Sequence, residues 1–150
     1  MHNYKKIYYF IDDFNIDEIG KLNKNISLIY RNYKKEYKID LIKKIRDICV
    51  VKKHEFFISN NLKIAKELSL NGIYIPSFDT LENFNNLSVH KNFKIIGSAH
   101  NKAQIINKKK QGCSEIFVSP IFKNKNYSSY LGVNRFNLIT NALNVKVIAL

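Results

Sequence analysis

The chain has 150 residues, which is room for one compact domain with a real core. Its 45% apolar and 13% aromatic content, with two cysteines, excludes a disordered, collagen-like or disulfide-stapled chain. The formal net charge of +13 raises nucleic acid as a partner, but the excess lysines are scattered rather than clustered and read better as solvated faces.

Short apolar runs alternate with amphipathic stretches along the chain. Ile7 to Ile11 is a compact strand-type run ended by Asp12-Asp13, and Ile26 to Tyr30 is a second, ended by Arg31. From Ile39 the apolar residues recur as Ile42, Ile45, Ile48 and Cys49 between lysines, which predicts a helix with one buried stripe. Glu55 to Ile58 is a third strand. Leu62, Ile64, Ala65 and Leu68 outline the next helix, stopped at Asn71-Gly72. Ile73 to Ile75 is a fourth strand closed by Pro76, and Asp79-Thr80 offers an N-cap for a helix through Leu87. Phe93 to Gly97 reads as a strand, Asn101 to Lys110 as a helix ending at Gly112, and Glu115 to Val118 as a sixth strand. A polar loop from Ser119 to Gly132 follows, then Leu138 to Leu143 continues a helix, and Val145 to Leu150 is a last strand.

Strands with continuous apolar character are strands buried on both faces, and their alternation with helices implies βαβ units and a parallel sheet. With no linker, residues 1–150 read as a single α/β domain. No GxGxxG follows the first strand, which argues against a dinucleotide-binding sheet. Polar residues cluster just after strand ends, at Asp13, Arg31, Ser59-Asn60, Asp79, Ser98 to His100 and Asn124 to Asn126. That distribution favours a parallel (β/α) barrel of TIM type, whose functional residues gather there.

Cys49 and Cys113 lie far apart and in no metal-type spacing, so they are expected to be buried thiols in a reducing, cytoplasmic setting. No apolar run reaches the roughly 20 residues of a membrane span, and no membrane partner is expected. His2, His54 and His90 have no motif around them and are expected at the surface. Tyr8, Tyr9, Tyr30 and Tyr74 are expected in or near the core.

The order of the strand-end motifs resembles the thiamine phosphate synthase/TenI family. Phe57 to Asn61 with Ala65, then Asn71 to Ile75 up to Asp79, is similar to that family's strand ending in Asn-Asp and its Gly-Val-His-Leu-Gly-Gln-x-Asp. Ile96 to His100 is similar to its Gly-x-Ser-x-His, Val118 to Phe122 to its Gly-Pro-Ile-Phe, and Tyr8 to Asp13 to its first strand. The resemblance implies an enzyme that couples hydroxymethylpyrimidine diphosphate with thiazole phosphate and releases pyrophosphate, with Mg²⁺ held by two Asp residues.

Transferred position by position, Asp79 stands at one Mg²⁺ position, while Asn60 replaces the other Asp and Ser59 the neighbouring Asn. The resemblance makes Arg31, Asn60, Ser98, Asn124 and Asn126 the phosphate- and substrate-binding candidates, and puts His100 on the position of an acid/base in the family's tautomerases. Ile29, Tyr33 and Tyr127 replace a Gln and two Lys of the pattern; Lys34 and Lys125 neighbour the lost lysines, and whether either replaces them is open on the sequence. Losing a carboxylate and two lysines removes about three charges, each charge-assisted contact being worth about 1.5–3 kcal/mol.

The resemblance also implies an eighth strand and a Gly-Gly-Ile phosphate loop beyond Leu150. About seven strands are therefore expected here, with the final β/α unit missing, either because the chain is a fragment or because a partner, as in a homo-oligomer, covers the gap. Three functions stay open on the sequence: a synthase with degenerate ligands, a thiazole tautomerase using His100, and a non-catalytic phosphate-ligand-binding relative.

Overall fold

A computed structural model describes residues 6–13, 15–33, 37–80, 84–123, 125, 129–141 and 143–150. These form two compact units, one of residues 1–73 with 91–93, the other of 74–90 with 94–150. Strand order follows chain order from β1 to β7.

The first unit contains β1 (Ile7–Ile11), α1 (Ile16–Lys21), β2 (Ile26–Tyr30), α2 (Ile39–Lys52), β3 (Phe56–Ser59), α3 (Leu62–Glu67) and the start of β4 (Gly72–Ile75). β1 pairs in parallel with β2, Ile7 opposite Ile26, and β2 with β3, Leu28 opposite Phe56. Leu28, Ile29, Phe57 and Ile58 are inaccessible to solvent, as the continuous apolar character of these strands requires. α2 turns Ile42, Ile45 and Cys49 inward at helical spacing, and its lysines stay outside. Asparagines do the capping: Asn15 Oδ1 accepts from Asp17 N and Glu18 N to start α1, and Asn61 Oδ1 accepts from Ile64 N at 3.0 Å to start α3.

The second unit contains the end of β4, β5 (Lys94–Ala99), α4 (Lys102–Lys110), β6 (Glu115–Val118), α5 (Gly132–Thr140) and β7 (Lys146–Ala149). β5 pairs in parallel with β6, Ile96 opposite Glu115, and β6 with β7, Glu115 opposite Lys146. Its core joins Tyr74, Ile96, Ala99, Ile105, Ile116, Phe117 and Ile121. Asn101 caps α4 through Gln104 N at 2.9 Å. Gly112, at φ +92°, takes the left-handed turn that leads from α4 to β6.

Several expectations from sequence change. α1 was not foreseen: it is one and a half turns long and buries only Ile19, too little for a periodic pattern. α5 starts at Gly132, where the polar loop was expected to end, and stops at Thr140 rather than continuing to Leu143. No helix forms over the described parts of the 79–87 stretch, where Phe78 is exposed and Phe84 alone is a buried anchor. His54 is buried rather than at the surface, and burial lowers its pKa, with Lys52 acting in the same direction. Lys108, read from sequence as part of a solvated run, is 1% exposed. Its spacing from Ile105 puts it on the inward stripe of α4. Cys49 and Cys113 are buried free thiols, as expected, and burial pushes both pKa values up to about 12. Tyr30 and Tyr74 are buried, and Tyr8 and Tyr9 half-buried.

Candidate functional site

In the first unit the residues just past β2 and β3 carry the candidates. Arg31 N continues the ladder to Ile11 O at 2.9 Å, which places its side chain beside the end of β1. There its Nε donates to Asp12 Oδ1 at 2.8 Å, and its guanidinium stacks over Phe10, 4.9 Å from the ring centroid. The pair is largely solvated, with side chains 38% and 68% exposed, so it contributes little to stability. Asn60 follows β3 at φ 48°, a conformation that asparagine tolerates better than most residues, and is exposed. Ser59 is fully buried, and its carbonyl accepts from the Tyr37 hydroxyl at 2.8 Å.

The second unit carries three further candidates, in or after β4 and β5. Ser98 points into the core side of β5, where the Tyr74 hydroxyl donates to its Oγ at 2.8 Å. Tyr74 is itself held edge-on by Phe117, with centroids 6.2 Å apart. A Ser hydroxyl that accepts one bond still has its own hydrogen to donate, which suits an anionic oxygen.

His100 stands two residues further on, in the turn that opens α4. Its backbone N–H donates to Gln104 Oε1 at 2.7 Å, which fixes the turn. Its ring Nδ1 lies 2.7 Å from the Ser119 carbonyl oxygen, just past β6. A carbonyl only accepts, so Nδ1 carries the proton and, in the neutral ring, Nε2 is the basic nitrogen.

His100 lines a cleft of about 640 Å³ together with Asn101, Lys102, Pro120, Tyr130 and Arg135. Lys102 and Arg135 bring two cations to this cleft, and Tyr130 an exposed aromatic face. The sequence reading missed these three. Lys102 was legible as the first residue after a helix cap, but Tyr130 and Arg135 depend on where α5 starts. Asn124 and Asn126 lie outside the described residues, as do Lys34 and Tyr127; Lys125 is exposed.

Asp79 lies four residues past β4. Its backbone carbonyl receives the Lys108 ammonium and Gln111 Nε2, the latter at 3.3 Å. Burial lowers the Lys108 pKa, while Cys113 and Asp79 act to raise it. No group of three or more His, Cys, Asp or Glu side chains comes together among the described residues. A single carboxylate does not cage an ion by itself. It does fit Mg²⁺ that arrives on a diphosphate, since Mg²⁺ commonly uses one or two carboxylates plus phosphate oxygens.

Comparison with known proteins agrees with this layout. The structure of thiamine phosphate pyrophosphorylase from Pyrococcus furiosus matches at a TM-score of 0.73 and 14% identity, covering 97% of this chain and 74% of that one. FabK from Thermotoga maritima matches at 0.58 and 13% identity, over 84% of this chain and 43% of that one. A structure titled native KDPGal matches at 0.58 and 12% identity, over 95% and 70%. At such identities the likeness shows the fold: an α/β chain of parallel TIM-barrel type, with seven strands among the described residues. No curated protein matches the sequence. The family model for thiamine monophosphate synthase, in contrast, matches residues 23–150, a span that includes Arg31, Asp79, Ser98 and His100, and this chain therefore belongs to the thiamine monophosphate synthase (TMP-TENI) family.

Proposed function

We propose that the chain is a thiamine phosphate synthase-like transferase that joins hydroxymethylpyrimidine diphosphate to thiazole phosphate and releases pyrophosphate. The observation that carries this reading is the placement of Asp79, with its backbone carbonyl anchored, in the same compact unit as Ser98 and the cationic cleft at His100. Departing pyrophosphate accumulates negative charge, and the reaction needs groups already aimed at it. Ser98 donates its hydroxyl hydrogen to a phosphate oxygen, and Lys102 and Arg135 offset phosphate charge at the cleft. Arg31 and Asn60 are the phosphate-binding candidates of the first unit. When bound, Mg²⁺ would be held by the Asp79 carboxylate and diphosphate oxygens and would neutralise charge on the leaving group. The chain's net charge of +13 favours encounter with such anionic substrates.

A second reading, a thiazole tautomerase, is supported by His100. With Nδ1 committed to the Ser119 carbonyl, Nε2 is the nitrogen that would exchange a proton with a thiazole ring.

One set of incubations separates the two readings. Synthase activity gives thiamine phosphate from both substrates, stops on chelation of Mg²⁺, and falls at least about 100-fold in Asp79→Ala. Absence of product, or unchanged turnover in that variant, refutes the synthase. A tautomerase shifts the thiazole absorbance without Mg²⁺ and loses that activity in His100→Ala. If neither substrate set reacts but thiazole phosphate binds, the chain is a non-catalytic relative.

A further inference from the structure

A buried ammonium calls for a physical reason, and Lys108 has one that reaches back to Asp79. Its stem lies under β5, where the absence of a side chain at Gly97 makes room: a Cβ there would stand 3.0 Å from Lys108 Cδ. The amino group donates to the Asp79 carbonyl and, at 2.7 Å, to Gln111 Oε1. Gln111 in turn donates through Nε2 to the same Asp79 carbonyl. One backbone oxygen therefore receives two side-chain donors from the last turn of α4 and its cap.

The segment that follows is tied to the same helix end. Phe84 N donates to Gln111 O at 3.0 Å, and Asn85 Nδ2 to Lys110 O at 2.8 Å. Between β4 and β5, where the alternation of elements would otherwise place a helix, the described residues are turns and extended chain. Among the described residues, the donors to the Asp79 carbonyl are side chains of α4 and its cap. An apolar residue at position 108 would fill the same space but supply no donor to the carbonyl.

We propose that Lys108, assisted by Gln111, is a positioning residue that fixes the backbone at Asp79 and thereby sets where its carboxylate meets a metal-bound diphosphate. This deepens the synthase reading and rests on it. Lys108 touches no substrate.

The test uses Lys108→Met, which keeps the unbranched stem and removes the ammonium. Two readouts are compared with wild type: amide hydrogen exchange at Asp79 and Phe84, and calorimetric binding of inorganic pyrophosphate with Mg²⁺. We expect exchange at those two amides to quicken by about tenfold or more while β5 and β6 amides keep their protection. Pyrophosphate affinity should fall about tenfold, with binding of thiazole phosphate unchanged. If Lys108→Met fails to fold, Gln111→Leu removes one of the two donors and should move both readouts the same way. Unchanged exchange, or faster exchange with unaltered pyrophosphate affinity, overturns the positioning role and leaves the synthase reading standing. A wild-type chain that does not bind Mg²⁺-pyrophosphate overturns the synthase reading, and the positioning role with it.

Discussion

Gly97→Ala probes the packing that holds the site together. Gly97 sits in β5 opposite Ile116, one residue before Ser98. An added Cβ would lie 2.8 Å from Cys113 Sγ, 3.0 Å from Lys108 Cδ and 3.4 Å from Ile75 O. The first contact is closer than real Cβ atoms come, and neither neighbour can yield easily. Cys113 is 5% exposed, and the Lys108 stem is held at its far end by Asp79 and Gln111. Overpacking of this kind costs about 1–3 kcal/mol, against which the stiffer unfolded chain returns about 0.4–1 kcal/mol. The net expectation is a loss of about 1–2 kcal/mol, read by urea unfolding followed by circular dichroism, since the chain has no Trp to report. Cys113→Ala removes the closest clashing atom. In the double variant Gly97→Ala/Cys113→Ala the two changes should compensate, with a coupling of about 1 kcal/mol or more. Wild-type stability in Gly97→Ala, or strict additivity in the double variant, would refute the reasoning.

Two further outcomes follow from burial. With both thiol pKa values pushed up to about 12, Cys49 and Cys113 should resist iodoacetamide at pH 8 in the native protein and react together once urea unfolds it; native labelling of either contradicts the packing. His54 has its folded pKa held below 6.5 by burial, so the unfolded chain takes up the proton first as pH falls. Its contribution is therefore intact above about pH 6.5 and is lost as pH drops from there toward the lowered folded value. Thermal melts from pH 7 to 5 should show this loss in wild type and a shallower slope in His54→Leu; equal slopes would exclude His54 as the cause.

Most of the fold was legible because continuous apolar runs and a 3.6-residue stripe are local signals. β1, β2 and β6 fall where Ile7 to Ile11, Ile26 to Tyr30 and Glu115 to Val118 were read. The stripe Ile42, Ile45, Cys49 faces inward in α2 as its spacing requires. Where the local signal was weak the reading slipped: α1 buries one residue, and the cap Asp79-Thr80 pointed to a helix that described residues 84–87 do not form. The candidate site was legible in part. Arg31, Asn60, Asp79, Ser98 and His100 could be singled out as candidates because they follow strands and fall in the order of the family's motifs, both of which are local signals.

The sequence by itself determined the alternation of strands and helices, the buried thiols, and the polar residues that follow each strand, since each depends on neighbours within a few positions. Only the tertiary structure decided that the Ser119 carbonyl fixes the His100 ring, that Tyr74 reaches Ser98, and that Lys108 is a buried donor to Asp79 rather than one more solvated lysine. Those contacts join residues 19 to 29 positions apart, and which of several chemically equal partners is met depends on how the chain packs. A lysine's stem is apolar and its tip is charged, so composition alone cannot say which end the fold will use.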